Sequence, residues 1–179
     1  MRQEIAKISG IAQRLVEYVR NLAYSLRPPM LDRHGLVPTL SQYCSDYSER
    51  NGIRVDFFPL GMEGVALDFD TEINLFRITQ EALTNVRKHA SARQVTIKLQ
   101  AKAPNIILSI RDDGNGFDVR KEMRDSGQRK MGLSGIEQRA SLLGGRLSIQ
   151  SGRGKGSRIL VEVPLREKTN EGQEENTHR

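Results

Sequence analysis

Tryptophan is absent, aromatic residues make up only 5% of the 179-residue chain, and there is one cysteine. A single cysteine closes no internal disulfide and builds no thiolate metal cage, which fits a reducing, cytosolic compartment. Cys44 falls in a helical pattern and is expected to pack as a small apolar group. Long hydrophobic runs are also missing: none exceeds three residues, as at 106–108 and 159–161. A membrane-crossing helix needs about 20 apolar residues, so no span is expected. Arg2, Glu4 and Lys7 break up the start of the chain, so neither is a secretory leader. The formal net charge is +6. With Lys and Arg scattered, no stacking platform and no zinc spacing, it does not point to nucleic acid. Acidic residues are missing from 140 to 161, where Arg146, Arg153, Lys155 and Arg158 fall; a local basic region of this kind suits a polyphosphate.

What is present is enough apolar material, 37%, to bury a core beside 28% charged residues. Ile5, Ile8, Ala12, Leu15, Val19, Leu22 and Leu26 alternate in steps of three and four, the stripe of a long bundle-forming helix. Pro28-Pro29 ends it. Residues 30–35 read as a loop, and Leu36 to Tyr47 as a shorter helix closed by Asn51-Gly52. Ile53, Val55 and Phe57 alternate as a strand. Asp70 is the expected N-cap of a long helix reaching His89. Val95, Ile97 and Leu99 mark a strand, 101–105 a turn, and 106–110 a buried strand. Residues 118–130 are polar and patternless and read as a mobile loop. Leu133, Ile136, Ala140 and Leu143 mark a helix capped by Gly144-Gly145; strands at 147–151 and 157–163 follow. Residues 166–179 read as a disordered tail. The irregular order of strands and helices, with several hairpins, predicts an α/β sandwich: a mixed sheet with helices on one face.

No Walker A sequence and no nucleophile–histidine constellation occurs. Polar residues instead line up on the long helix, where Glu81, Asn85 and His89 recur every four positions on one face. A carboxylate beside a carboxamide suits a base next to a hard-cation ligand. Behind the buried strand comes Asp112-Asp113-Gly114-Asn115-Gly116, whose glycines permit close backbone approach to a ligand. A calcium loop would need glutamate at its twelfth position, and Met123 stands there. Gly132-Leu133 is expected to open a helix and offer free N–H groups to phosphate. Gly154 and Gly156 form a second bend.

Taken in order, these blocks resemble the GHKL ATPases, the group that includes gyrase, histidine kinases and MutL. F-R-I-T-Q-E-A-L-T-N-V-R-K-H-A at 76–90 resembles their N box, and D-D-G-N-G at 112–116 their D-x-G-x-G box. M-G-L-S-G-I at 131–136 with Arg139 looks like the second glycine box, and G-K-G-S at 154–157 like the last. Upstream, L-R-P-P-M-L-D at 26–32 resembles the junction in sensor histidine kinases of the nitrate-sensor and desaturase-sensor type. The resemblance implies a Bergerat-type sandwich at 36–165, a linker at 28–35, and, at 1–27, the second helix of a dimerisation and phosphotransfer hairpin. It implies ATP and Mg²⁺ as cofactors, phosphoryl transfer to a histidine and then to a response-regulator receiver domain, and homodimerisation through the N-terminal helix. It also implies a cytoplasmic location, with a parent that is membrane-anchored or not.

By the same resemblance Glu81 polarises the phosphoacceptor and Asn85 is the Mg²⁺ ligand. Lys88 and His89 face phosphates and sugar. Asp112 accepts from the adenine amino group, with Gly114 and Gly116 giving the base room. Gly132 and Leu133 support the lid beside the triphosphate, and Gly156 and Ser157 close the pocket floor. Lys130 stands where the family usually has glycine, and it too is expected near phosphate. No phosphoacceptor motif like E-L-H-D occurs, and no histidine lies between Met1 and Pro28. The chain therefore reads as a fragment of a longer kinase. Two other readings remain open: an anti-sigma-type serine kinase, or a nucleotide-sensing module without catalysis.

Overall fold

Alternation at Val95, Ile97 and Leu99 lays three fully buried side chains along one face of a strand. In the computed structural model, which describes residues 29–124 and 128–165, that strand belongs to a five-stranded sheet. Its members are β1 (Arg54–Leu60), β2 (Gln94–Lys102), β3 (Asn105–Asp112), β4 (Arg146–Ser151) and β5 (Ser157–Pro164). The spatial order is β1-β2-β3-β5-β4; β1 runs parallel to β2 and the other pairs are antiparallel. β2–β3 and β4–β5 are hairpins, whereas β1 reaches β2 through a helical crossover. Ile106, Leu108 and Ile110 of β3 and Ile159, Val161 and Val163 of β5 continue the buried face. Their neighbours Ser109, Arg111, Arg158 and Leu160 are half-buried or exposed, so helices cover one face of the mixed sheet.

The helices are α1 (Pro29–His34), α2 (Leu36–Asn51), α3 (Phe69–Asn85), α4 (Val119–Arg124) and α5 (Gln128–Leu142), with a π-helical turn at Val86–Ala90 continuing α3. Leu75, Phe76, Ile78 and Leu83 of α3 are fully buried, each contributing about 1.5–3 kcal/mol relative to exposure. Tyr43 of α2 meets Phe76 edge-on at 5.4 Å between ring centroids. The Tyr47 hydroxyl donates to the Leu83 carbonyl at 2.8 Å. Gly52 ends α2 at φ 64°, as Asn51-Gly52 implies, and Gly144 follows α5 at φ 69°. Cys44 is buried, and burial pushes its thiol up to about 12, as suits a packing residue.

Four expectations need correction. Residues 30–35 are not a loop: Pro29 starts α1, a proline-tolerant first position, and Leu31 is anchored in the core at 1% exposure. The N-cap of α3 is Asp68 rather than Asp70, because Asp68 Oδ1 accepts the Thr71 N–H at 2.7 Å. Regular α winding stops at Asn85 instead of running on to His89. Within 118–130, residues 119–124 and 128–130 are helical, favoured by the helix-forming Arg, Lys, Glu, Gln and Met side chains there. The bundle-forming helix at 1–27 and the tail at 166–179 lie outside the described residues.

Replacing Asp68 by alanine should lower stability by about 1 kcal/mol through loss of the cap. The same change at exposed Asp70 should cost only a few tenths, about the size of a dipole interaction. Urea unfolding midpoints of the two variants check this; equal losses would refute the capping assignment.

Candidate functional site

Glu81 and Asn85 lie four residues apart on α3, so both side chains leave the helix on one side. α5 meets them through Gly132. A methyl group there would collide with Glu81 Oε1 and come within 3.1 Å of both polar atoms of the Asn85 side chain. Among the described residues, Asn85 Nδ2 is a buried side-chain polar atom with no hydrogen-bond partner, and it stands alone in this. Such an orphan costs about 1–3 kcal/mol, and a carboxamide can turn either its oxygen or its nitrogen to a ligand. Gly132 does not open a helix as its sequence suggests. α5 starts at Gln128, so the N–H of Gly132 belongs to the helix interior and offers no free donor.

The π turn carries His89, which lines the same cleft as Asn85. π turns inside α-helices are rare and frequent at functional sites. Lys88 stands exposed on that turn and is absent from the cleft lining. Lys130 lies in the first turn of α5, and its side chain is outside the described set.

Asp112 closes β3 at 6% exposure. Its Oδ1 accepts the Gly114 N–H at 2.9 Å, and its Oδ2 accepts the Ser157 hydroxyl. Both oxygens keep a lone pair for a ligand donor. Asp113 does a different job. Its Oδ1 accepts the N–H groups of Arg93 at 2.9 Å and Gln94 at 3.0 Å, tying the bend to the start of β2. Those bonds, the one from Gln94 foremost, hold its carboxyl below the usual carboxylate range.

Glycines let three backbone segments close on one another around Asp112. Methyl groups at Gly114, Gly116 and Gly156 would strike the carbonyl oxygens of Ala90, Gly152 and Asp112 respectively. Asn115 donates its N–H to Ala90 O at 2.7 Å and accepts that of Gly154 at 2.6 Å. Ser151 Oγ accepts the Phe117 N–H at 2.8 Å and donates to Gly156 O at 3.0 Å. The cleft so formed is narrow and partly open to solvent. Ile110, Phe117, Leu133 and Ile159 make its apolar walls, while Asn85, His89, Asp112 and Ser157 supply the polar groups. That composition suits a flat heterocycle with a few directed hydrogen bonds. Phe117 and Ser151 were not legible as site residues; the signal for Phe117 is its place directly after the D-D-G-N-G bend.

Comparisons with known proteins bear on the family of the chain. A family model described as histidine kinase-, DNA gyrase B- and HSP90-like ATPase matches residues 70–167. The chain belongs to this ATPase family. The signal transduction histidine-protein kinase/phosphatase DegS of Brevibacillus brevis is 36% identical over 163 residues, which is 91% of this chain and 41% of that protein. DegS of Bacillus subtilis (strain 168) is 38% identical over 141 residues, 78% of this chain and 36% of that protein. The sensor histidine kinase ComP of the same strain is 38% identical across 84% of this chain and 19% of its own length. The chain thus spans at most 41% of the length of these curated relatives. Among solved structures, a blue-light activated histidine kinase of Erythrobacter litoralis EL346 shares the fold, with a TM-score of 0.58 at 21% identity over 73% of this chain and 42% of that one.

Gly156→Ala should destabilise the protein by about 1–3 kcal/mol, since φ is 68° and the Asp112 carbonyl cannot retreat. Gly152→Ala meets nothing closer than 3.6 Å and should cost well under half of that. Thermal unfolding of the pair checks the difference. Asp113 gives a pH prediction. With a lowered folded value, its contribution is complete above the usual carboxylate pKa and is lost as pH falls through the folded value. Asp113→Asn should therefore show a shallower loss of stability on acidification than the parent, measured by urea midpoints across the acid range.

Proposed function

We propose that this chain is the ATP-binding catalytic part of a two-component sensor histidine kinase. The observation that carries the reading is the orphaned, buried Asn85 amide set beside Glu81 under the glycine backbone of α5. The residues fit a magnesium nucleotide. Among the described residues no cluster of three or more His, Cys, Asp or Glu forms a metal cage. A magnesium ion would thus be shared between Asn85 and nucleotide phosphates, which is how this reluctantly dehydrated cation is usually held. When bound, Mg·ATP supplies the transferable phosphoryl group and neutralises its charge.

The chain's own groups do the positioning. Asp112, already fixed by Gly114 and Ser157, accepts a hydrogen bond from the adenine amino group. Ile110, Phe117 and Ile159 exclude water from the face of the base. Asn85 presents its oxygen to the cation, and His89 lines the cleft beside it. Glu81, half-buried beside Gly132, accepts the N–H of the acceptor imidazole and so leaves the other ring nitrogen free to attack. The acceptor histidine lies on a segment that this sequence does not match. The onward receiver domain, homodimerisation through residues 1–27 and the cytoplasmic location rest on the relatives, the heptad stripe and the single cysteine. No helix among the described residues is long and apolar enough to cross a membrane.

Calorimetry with ATP, in magnesium and in chelator, tests the proposal. Asp112→Asn should weaken nucleotide binding about tenfold or more, the scale of one charged hydrogen bond. Asn85→Ala should remove the tightening that magnesium brings while leaving circular dichroism unchanged. Unaltered affinity in the first, or an intact magnesium effect in the second, would overturn those assignments.

A further inference from the structure

The cations of the acid-free run take no part in the nucleotide cleft. Sheet register sets one of them, Arg158, against a cation from elsewhere in the chain, and the β4–β5 loop adds Lys155. Arg111 of β3 and Arg158 of β5 are directly paired, both exposed on the face that the helices leave open. Gln150 of β4 faces Arg158 from the other side. Lys155 lays its stem over Gly152, with Cδ 3.6 Å from where a methyl group would sit. Together with Ser151 and Ser157 these residues line a hollow of about 500 Å³, and no carboxylate lines it.

Two features mark this hollow as more than a solvated surface. Like charges directly opposite each other in an antiparallel ladder destabilise it, and the Arg111–Arg158 pair has that placement. The Arg158 guanidinium is also oriented, because its Nε donates to Ser109 Oγ at 3.3 Å. Its remaining N–H donors are thereby left for a ligand. Guanidinium forks match phosphate oxygens in pairs, and the volume lies within the range of small-ligand sites.

We propose that this hollow is a second anion site, distinct from the nucleotide cleft, that binds a phosphate-bearing ligand of the diphosphate class. Gly156 and Ser157 border the hollow, and Ser157 also lines the cleft, so the two sites lie on opposite sides of one bend. Ligand bound at Arg111 and Arg158 cancels their repulsion at the base of that bend.

The test is a titration of the isotopically labelled full chain with inorganic pyrophosphate, in chelator and excess adenosine, which carries no phosphate, followed by amide NMR shifts. Saturable shifts are expected at Arg111, Lys155 and Arg158, with Asn85 and His89 unmoved. The double variant Arg111→Gln, Arg158→Gln should bind about tenfold more weakly or worse. Arg146→Gln removes a charge from β4 outside the hollow and should change affinity less than about twofold. Shifts that do not saturate, equal weakening by Arg146→Gln, or shifts confined to Asn85 and His89 would each overturn the proposal. The first two mean diffuse charge attraction; the third means that the probe enters only the nucleotide cleft. Failure to bind adenosine would count against the nucleotide reading alone, because the hollow's shifts are read at different residues.

Discussion

Backbone pressed against backbone, with no side chain between, is the constraint on which the site depends. Gly114 closes on Ala90, Gly116 on Gly152, and Gly156 on Asp112. These contacts bring the end of the α3–π helix, the D-D-G-N-G bend and the β4–β5 bend into one layer. Burying a carboxylate is costly unless its oxygens are satisfied. Asp112 reaches 6% exposure because the same bends supply the Gly114 N–H and the Ser157 hydroxyl. A side chain at any of these glycines would separate the donors from the acceptor before it filled the cleft.

α3 serves the core and the site with adjacent residues. Ala82 and Leu83 are buried against the interior, whereas Glu81 and Asn85 sit half-buried at the boundary. Groups set on a helix with a buried face are held more tightly than groups on a loop. Gly132 lets the α5 backbone press against that boundary. Its value is therefore the space it leaves, not the phosphate-binding N–H that its sequence position suggests. The same glycine box thus serves the site by a different physical route.

Strands were the most legible part of the chain, because their alternation is written directly in side-chain type. Helix ends were less so. Asp68 and Asp70 are chemically identical candidates two residues apart, and only the Thr71 N–H decides between them. α1 has a single apolar anchor, Leu31, and one anchor makes no period. The helical residues within 118–130 follow intrinsic propensity without an amphipathic stripe, so a reading by periodicity passes over them. The Glu81, Asn85 and His89 row was visible, but the change of winding within it was not, since side-chain spacing does not encode which carbonyl an N–H selects. Arg111 and Arg158 are far apart in sequence and meet only through register.

The π turn has its own mechanical support, and this explains how His89 stays in place without a regular helix beneath it. At its start, the Leu83 carbonyl accepts both the Val86 N–H and the Tyr47 hydroxyl. Burial pushes the Tyr47 phenol up to about 12, so it remains a donor throughout the neutral range. At its far end, Ala90 O accepts the Asn115 N–H. α2 and α3 are further joined where Glu72 Oε1 accepts the Leu36 N–H at 3.2 Å. Each such bond contributes only about 1 kcal/mol, yet together they fix both ends of a five-residue segment. One end is tied to the α2–α3 pair, and the other to the bend that positions Asp112. The aim of His89 is thus set by two fixed points, one in the helical layer and one at the bend that follows β3.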